Sequence, residues 1–348
     1  MTTPHPTQPV PAVLGRLLIS LGVLALAGGA FRLSLRMPPA AQGAALAAGA
    51  QREPLDGASS LQLHLDGDHP NLTLEAADLP GLALQGQLNG PEELRRTASR
   101  AGGALALDYS ARVGGAWPFW LGSQDGRWTL TLNRALPSRL DLTLASGDLN
   151  LGLEGARLQG LTAQTDSGNL EARLPARLSG DVRLSTASGD LRARVVGPEG
   201  GRQAGGQPGG QTFSARSGSG ELDLDLSAAA FRRVEAVTAS GDLGLTLPAR
   251  GGLNARLQSG SGDLTATLPA GSGGGTVSVQ TGSGDLTLRL DPARAVVVRA
   301  QSGSGDLDGP DGPLAGGVYR TPAAAGAPAL QVTLQTGSGD VRIEEARP

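Results

Sequence analysis

From Leu140 onward, apolar side chains fall at every second position, lose step at a Ser-Gly-Asp tripeptide, and resume on the opposite parity. Aligned on the serine, nine segments share this pattern. Six residues upstream stand Leu140, Leu161, Val182, Phe213, Val234, Ala255, Val277, Val298 and Val332. Four upstream, the column is Leu142, Ala163, Leu184, Ala215, Ala236, Leu257, Val279, Ala300 and Leu334. Two upstream it turns, after Leu144, to hydroxyls: Thr165, Thr186, Ser217, Thr238, Ser259, Thr281, Ser302 and Thr336. Past the tripeptide the apolar position returns as Leu149, Leu170, Leu191, Leu222, Leu243, Leu264, Leu286, Leu307 and Val341. A period of two predicts strands with one buried face. The change of parity requires a corner between two strands, where Gly supplies a positive φ and the acidic side chain can accept backbone N–H groups.

The third corner residue is Asp148, Asn169, Asp190, Glu221, Asp242, Asp263, Asp285, Asp306 and Asp340, at intervals of 21, 21, 31, 21, 21, 22, 21 and 34. A constant period with matched columns predicts an all-β fold, a single-stranded parallel β-solenoid (β-helix) of about 21 residues per coil, with equivalent residues stacked about 4.8 Å apart. A run of antiparallel hairpins with Gly-Asp as the turn is the competing arrangement. Stacking predicts ladders of amides (Gln164, Gln258, Gln280, Gln301 and Gln335) and of the Thr/Ser hydroxyls. The two long intervals fall at one phase of the repeat, at Gly197–Gly210 and after Asp308, where loops can leave the stack. Neighbouring carboxylates about 4.8 Å apart repel by roughly 0.9 kcal/mol in water, so the acidic column must face solvent, accept turn amides or bind cations. Asn169 and Glu221 interrupt it, which favours a solvated turn residue over a calcium ligand, and the Gly-Gly-x-Gly-x-Asp period of calcium β-rolls is not present.

The recurring units, from Ser146-Gly147-Asp148-Leu149 to Ser338-Gly339-Asp340-Val341, resemble the bacterial putative-adhesin family whose hallmark is an S-G-D-[LV] strand repeat. The likeness covers about Leu140 to Ile343 and, more weakly, the region from Leu61. It implies an exported or membrane-tethered β-repeat protein of the cell envelope, similar in style to the toast-rack domains of envelope-stress proteins, and it brings no catalytic residues.

The N-terminus supports export. Leu17 to Phe31 carries no charge and is flanked by Arg16, Arg32 and Arg36, which suits a hydrophobic helix serving as a signal peptide or a short membrane anchor. The expected organisation is a signal peptide or anchor over 1–36, a flexible linker over 37–56, an N-terminal β cap over 57–136 and the repeat solenoid over 137–345.

Composition narrows the chemistry. The chain has 348 residues, 54 Gly, 23 Pro, no Cys and three His, which removes disulfides, thiol nucleophiles and Cys–His zinc sites. A net charge of −3 gives no field that would draw nucleic acid. His64 and His69 flank Asp66 and Asp68, a spacing that can be drawn as a metal site but fits a solvated turn better. Arg173, Arg183, Arg192 and Arg194 suggest a local basic patch diluted by Glu171 and Asp181. The candidate ligand platform is aromatic: Trp117, Phe119, Trp120 and Trp128, either a packed plug or an exposed surface for glycan or a membrane interface. No cofactor or metal is expected. The leading expectation is a non-enzymatic envelope scaffold, adhesin-like or envelope-organising, tethered through its N-terminus or secreted, with an envelope glycan or a membrane protein as partner. A polysaccharide-active β-helix enzyme and an envelope-stress sensor are the alternatives.

Overall fold

A computed structural model describes residues 44–46, 49–90, 93–112, 126–176, 178–197, 211–249, 252–271, 273–325 and 329–346, all in the unit that begins at Arg36. The hydrophobic segment expected to be helical at the N-terminus lies outside these residues. Among the described residues no helix is long and apolar enough to cross a membrane.

The described chain forms two sheets of fourteen strands each, and pairing is mostly parallel. Each repeat makes one rung. Its first strand joins one sheet and ends near the corner serine; its second joins the other sheet and begins at the apolar residue after the corner. In the Asp148 rung these are Ser138–Ser146 and Leu149–Gly152. The columns of the sequence are the registers of the sheets: Leu140, Leu161, Val182, Phe213, Val234, Ala255 and Val277 are successive partners in parallel strands. Leu149, Leu170, Leu191, Leu222, Leu243, Leu264 and Leu286 are partners in the other sheet. These pairings overturn the hairpin arrangement. The inward columns of both sheets form one continuous core, in which these leucines are at most 2 % exposed.

Aromatic packing is minor, as the composition requires. Phe213 and Phe231 meet at 5.3 Å between ring centroids. Arg294 is buried beside the core and donates from Nη1 to the carbonyls of Pro248 (3.4 Å) and Pro269 (3.1 Å), which end two earlier rungs. Burial lowers its pKa from the ordinary arginine value.

At both ends the order of rungs departs from the order of the chain. Named by corner residue, the rungs run Asp148, Asn169, Asp190, Glu221, Asp242, Asp263, Asp285, Asp340, Asp306. The chain passes one rung position after Asp285, builds the Asp306 rung, and returns with Leu330–Ser338 and Val341–Glu345 to fill the gap. The interval of 34 is therefore more than a loop leaving a sequential stack. The first long addition, at 198–210, lies outside the described residues.

The N-terminal end repeats the device. Ser60–Gly67 and Asn71–Ala77 lie between the Asp148 rung and an outer pair, Ala104–Arg112 and Arg127–Asn133, that follows them in sequence. Glu93–Ala101 and Leu82–Asn89 then cover that pair in antiparallel fashion. Outermost are Ala44–Leu46 and Gly49–Pro54, again antiparallel. Part of the segment expected to be a flexible linker is thus strand. At the other end the outer strands are only Val318–Arg320 and Gly312–Pro313. Such short edges, with Pro in place of one N–H, offer little template to a foreign strand.

Candidate functional site

The corner column brings acidic and amide side chains of successive described rungs into one line. A parallel corner leaves two backbone groups outside the sheet ladders, the glycine carbonyl and the N–H of the acidic residue, and both need partners. Two side chains supply them. The Oδ1 of Asp148 accepts the N–H of Asn169 at 2.8 Å, Asn169 accepts that of Asp190 at 3.0 Å, and Asp190 that of Glu221 at 3.1 Å. The series resumes with Asp242 to Asp263 (2.9 Å), Asp263 to Asp285 (2.9 Å), Asp285 to Asp340 (2.8 Å) and Asp340 to Asp306 (2.9 Å). From the inner side, the hydroxyl column donates to the corner glycine carbonyl of the neighbouring rung, as Thr165 to Gly147 (3.1 Å), Thr186 to Gly168 (3.1 Å) and Thr336 to Gly284 (3.1 Å). The hydroxyls therefore cap glycine carbonyls; they do not bond to one another as a ladder.

Glycine is required at the corner twice over. Gly189 has φ of +136°, and a Cβ there would stand 2.2 Å from the carbonyl oxygen of Gly168. A longer side chain breaks the device at one step. Glu221 lies 3.6 Å from Arg192 and does not reach the N–H of Asp242, and the buried hydroxyl of Thr238 at the same step has no hydrogen-bond partner. Asn and Asp are the right length; Glu has one methylene too many.

A tenth corner has no Ser-Gly-Asp. His69-Pro70-Asn71 takes its place, and Asn71 Oδ1 accepts the N–H of Asp148 at 2.8 Å. Leu63 and Leu65 upstream and Leu72 and Leu74 downstream keep the spacing of the other rungs, and this was the signal available in the sequence. The HLDGDH segment is thus one strand end and its corner. His64 Nδ1 lies 3.4 Å from Asp141, His69 pairs with the Ser146 hydroxyl, and Arg112 bridges Asp66 and Asp68. Among the described residues no group of three His, Asp or Glu could hold a metal ion. The hydrogen bond to Asp141 raises the pKa of His64 above its usual value against partial burial, with Asp108 and Asp66 adding to the effect.

On the outer faces, four of the five glutamines form an amide ladder: Gln258 to Gln280 (3.0 Å), Gln280 to Gln335 (2.9 Å) and Gln335 to Gln301 (3.2 Å). Gln164 instead donates to Asp166 at 3.3 Å. Arg173, Arg192 and Arg194 share one sheet face and line an open trough of about 640 Å³ together with Asp225, Thr246 and Thr267. Arg183 lies on the other sheet, beside Asp181, so the four arginines are not one patch. Each cation of the trough has an acidic neighbour: Glu154 for Arg173, Asp190 and Glu221 for Arg192, Asp225 for Arg194.

Trp128 is 2 % exposed. It occupies the inward column held by Leu72 and Leu149 in the next two rungs, so it packs the core and is no part of an exposed platform. Trp117, Phe119 and Trp120 lie outside the described residues. A buried polar group at the N-terminal end is absent from the expectations drawn from the chain. There Glu53, 3 % exposed, accepts from Tyr109 at 2.9 Å and from Arg96 Nε at 2.5 Å. Burial and the Glu53 charge push the Tyr109 hydroxyl well above its ordinary pKa. Tyr109 alone among its inward neighbours Leu105 and Leu107 bears a polar atom, the one available hint.

No protein-family model matches this chain, and no curated protein matches it. Among solved structures it is similar to a putative cell adhesion protein from Clostridium sporogenes ATCC 15579, at 12% identity over 88% of this chain and 100% of that one, with a TM-score of 0.26. It is similar to a putative adhesin from Bacteroides fragilis NCTC 9343, at 10% identity over 84% and 95% of the two chains, with a TM-score of 0.34. A putative lipid binding protein from Parabacteroides distasonis ATCC 8503 is similar at 8% identity over 84% and 96%, again at 0.34. These likenesses are too slight to say what the chain does.

Proposed function

We propose that the chain is a non-enzymatic, exported β-repeat protein of the cell envelope, tethered through its N-terminal segment or secreted, whose stacked faces form an adhesin-like or envelope-organising binding surface. The fold in this reading is a β-solenoid with antiparallel caps. One observation carries it: the acidic column, apart from Glu221 and the terminal Asp306, is committed to the backbone N–H groups of neighbouring rungs. A carboxylate whose Oδ1 holds a corner together is poorly placed to exchange protons with a substrate. The outer faces, by contrast, present repeated amides, hydroxyls and neutralised charge pairs at a fixed spacing, which suits an extended partner such as a glycan or the exposed part of a membrane protein.

The test is cosedimentation of the full chain with isolated envelopes and with a panel of acidic glycans, followed by analysis for released sugar. Retention without product is expected. Turnover abolished by a single carboxylate substitution would overturn the reading in favour of a polysaccharide-active enzyme.

A further inference from the structure

The rung formed by Leu330–Ser338 and Val341–Glu345 sits between two rungs that precede it in the chain. The step from Leu290 to Val296 spans two rung spacings, roughly 9.6 Å; Leu330 N–H donates to Ala295 O at 2.9 Å, and further contacts brace the step from outside the inserted rung. Asp291 N–H donates to Leu268 O at 3.0 Å, Arg294 N–H to Asp291 O at 3.0 Å, and the Arg294 guanidinium to Pro248 and Pro269. Thr321 Oγ1 donates to Arg294 O at 2.7 Å and accepts from Val296 N–H at 3.0 Å, which ties the start of the Asp306 rung to its own antiparallel cover. The slot is thus braced in part by residues outside the inserted rung, which is a plug joined to the rest through the sequence Pro-Ala-Ala-Ala-Gly-Ala-Pro-Ala at 322–329.

The plug fits through groups that every copy of the chain carries. Leu330, Val332, Leu334, Val341 and Ile343 enter the core, Gln335 joins Gln280 to Gln301, and Asp340 joins Asp285 to Asp306. We propose that Leu330–Glu345 is exchanged between copies, the plug of one chain filling the slot of a second, so that two copies join reciprocally at this end. The contacts made are the same in the closed and the exchanged form, so the balance is set by the connecting segment and by concentration. The partner is thus a second copy of this chain. The proposal deepens the scaffold reading and rests on it only for its setting: the plug lies near the opposite end of both sheets from Gly49–Pro54, so copies tethered by their N-termini would meet by their free ends.

The absence of cysteine makes the test clean. Ser283 and Ser338 are exposed and directly paired across slot and plug. Full-length Ser283→Cys and Ser338→Cys variants carrying tags of different size are mixed, incubated below the unfolding temperature and mildly oxidised. Exchange places the two thiols side by side, and the hetero-linked dimer is expected to exceed each homo-linked dimer by about tenfold or more, because proximity replaces chance encounter. A statistical mixture of dimers, or no cross-linking, overturns the proposal. The double variant in one chain should close an internal disulfide, which shows that both substitutions fold and that the register is correct. If that locked variant still sediments with envelopes while the mixed variants show no exchange, the exchange fails and the scaffold reading stands; loss of sedimentation by the unmodified chain is the failure of the scaffold reading itself.

Discussion

The middle of the molecule and its two ends solve the same problem by different means. From Asp148 to Asp285 each rung stacks on the one before it, and every strand edge is satisfied by the next copy of the same pattern. The ends have no next copy. There the chain turns back in antiparallel strands, inserts one rung out of order, and accepts residues the middle does not: Pro70 stands where every repeat has Gly, and Trp128 where the middle has Leu. A repeat tolerates little variation because each residue is also its neighbour's environment, whereas an end is built once and can be irregular.

The sharpest way to break this contrast is at the glycines. Gly189→Ala should destabilise by about 3 kcal/mol or more, since it combines a forbidden φ with a backbone oxygen in the place of the new Cβ. Pro70→Ala, at the equivalent position of the end rung, should cost less than about 1 kcal/mol, mainly through a freer unfolded chain. Urea unfolding midpoints measure both, and equal losses would mean that the corner is no tighter in the middle than at the end.

At the end itself the larger effect belongs to the buried polar group. Glu53→Ala leaves the Tyr109 hydroxyl without its acceptor and Arg96 without its carboxylate, at a cost of about 2–3 kcal/mol after allowing for the partial exposure of Arg96. Hydrogen exchange should quicken in the strands Glu93–Ala101 and Ala104–Arg112 and stay unchanged from the Asn169 rung onward. A uniform rise along the chain would show that the end and the middle unfold as one unit.

The third prediction repairs the middle. Glu221→Asp shortens the side chain to the length that reaches the next corner, supplies the Asp242 N–H with an acceptor, and should stabilise by about 1 kcal/mol. An unchanged or lowered melting temperature would count against the ladder as a source of stability.

These differences also explain what could be read from the chain alone. Alternation and column identity specified which side chains face the core and which residues are partners, because in a parallel stack sequence phase and register are the same quantity. The need for a positive φ and for acceptors of corner amides was legible in Gly-Asp itself. The order of rungs was not, since the Asp306 and Asp340 segments carry equivalent columns and either could stand next to Asp285. The corner at Asn71 was hidden because His69 and Pro70 meet the same geometry with other residue types. The role of the hydroxyl column is not legible in the chain because its partner, the carbonyl of a neighbouring glycine, has no signature in side chains.

The smallest expected effect separates the two regions by pH. His64 sits on the outer face of the inserted N-terminal rung, in register with Asp108 on one side and Asp141 on the other, with Asp66 two residues along its strand. Its pKa is raised in the folded protein, chiefly by the hydrogen bond to Asp141, so the protonated imidazole favours folding. That contribution is complete below the unfolded value of about 6.5 and disappears as pH rises through the higher folded value. The side chain is 39% exposed, and solvent screening keeps the effect below about 1 kcal/mol. Proton NMR should therefore place the His64 titration above 6.5, and Asp141→Asn should move it down. The same substitution should flatten the loss of stability of the N-terminal rungs as pH rises above about 6.5 while leaving the rungs from Asn169 onward untouched, because those rungs contain no histidine. A His64 titration that does not respond to Asp141→Asn would remove the charge pair from the account of how the N-terminal rungs are held.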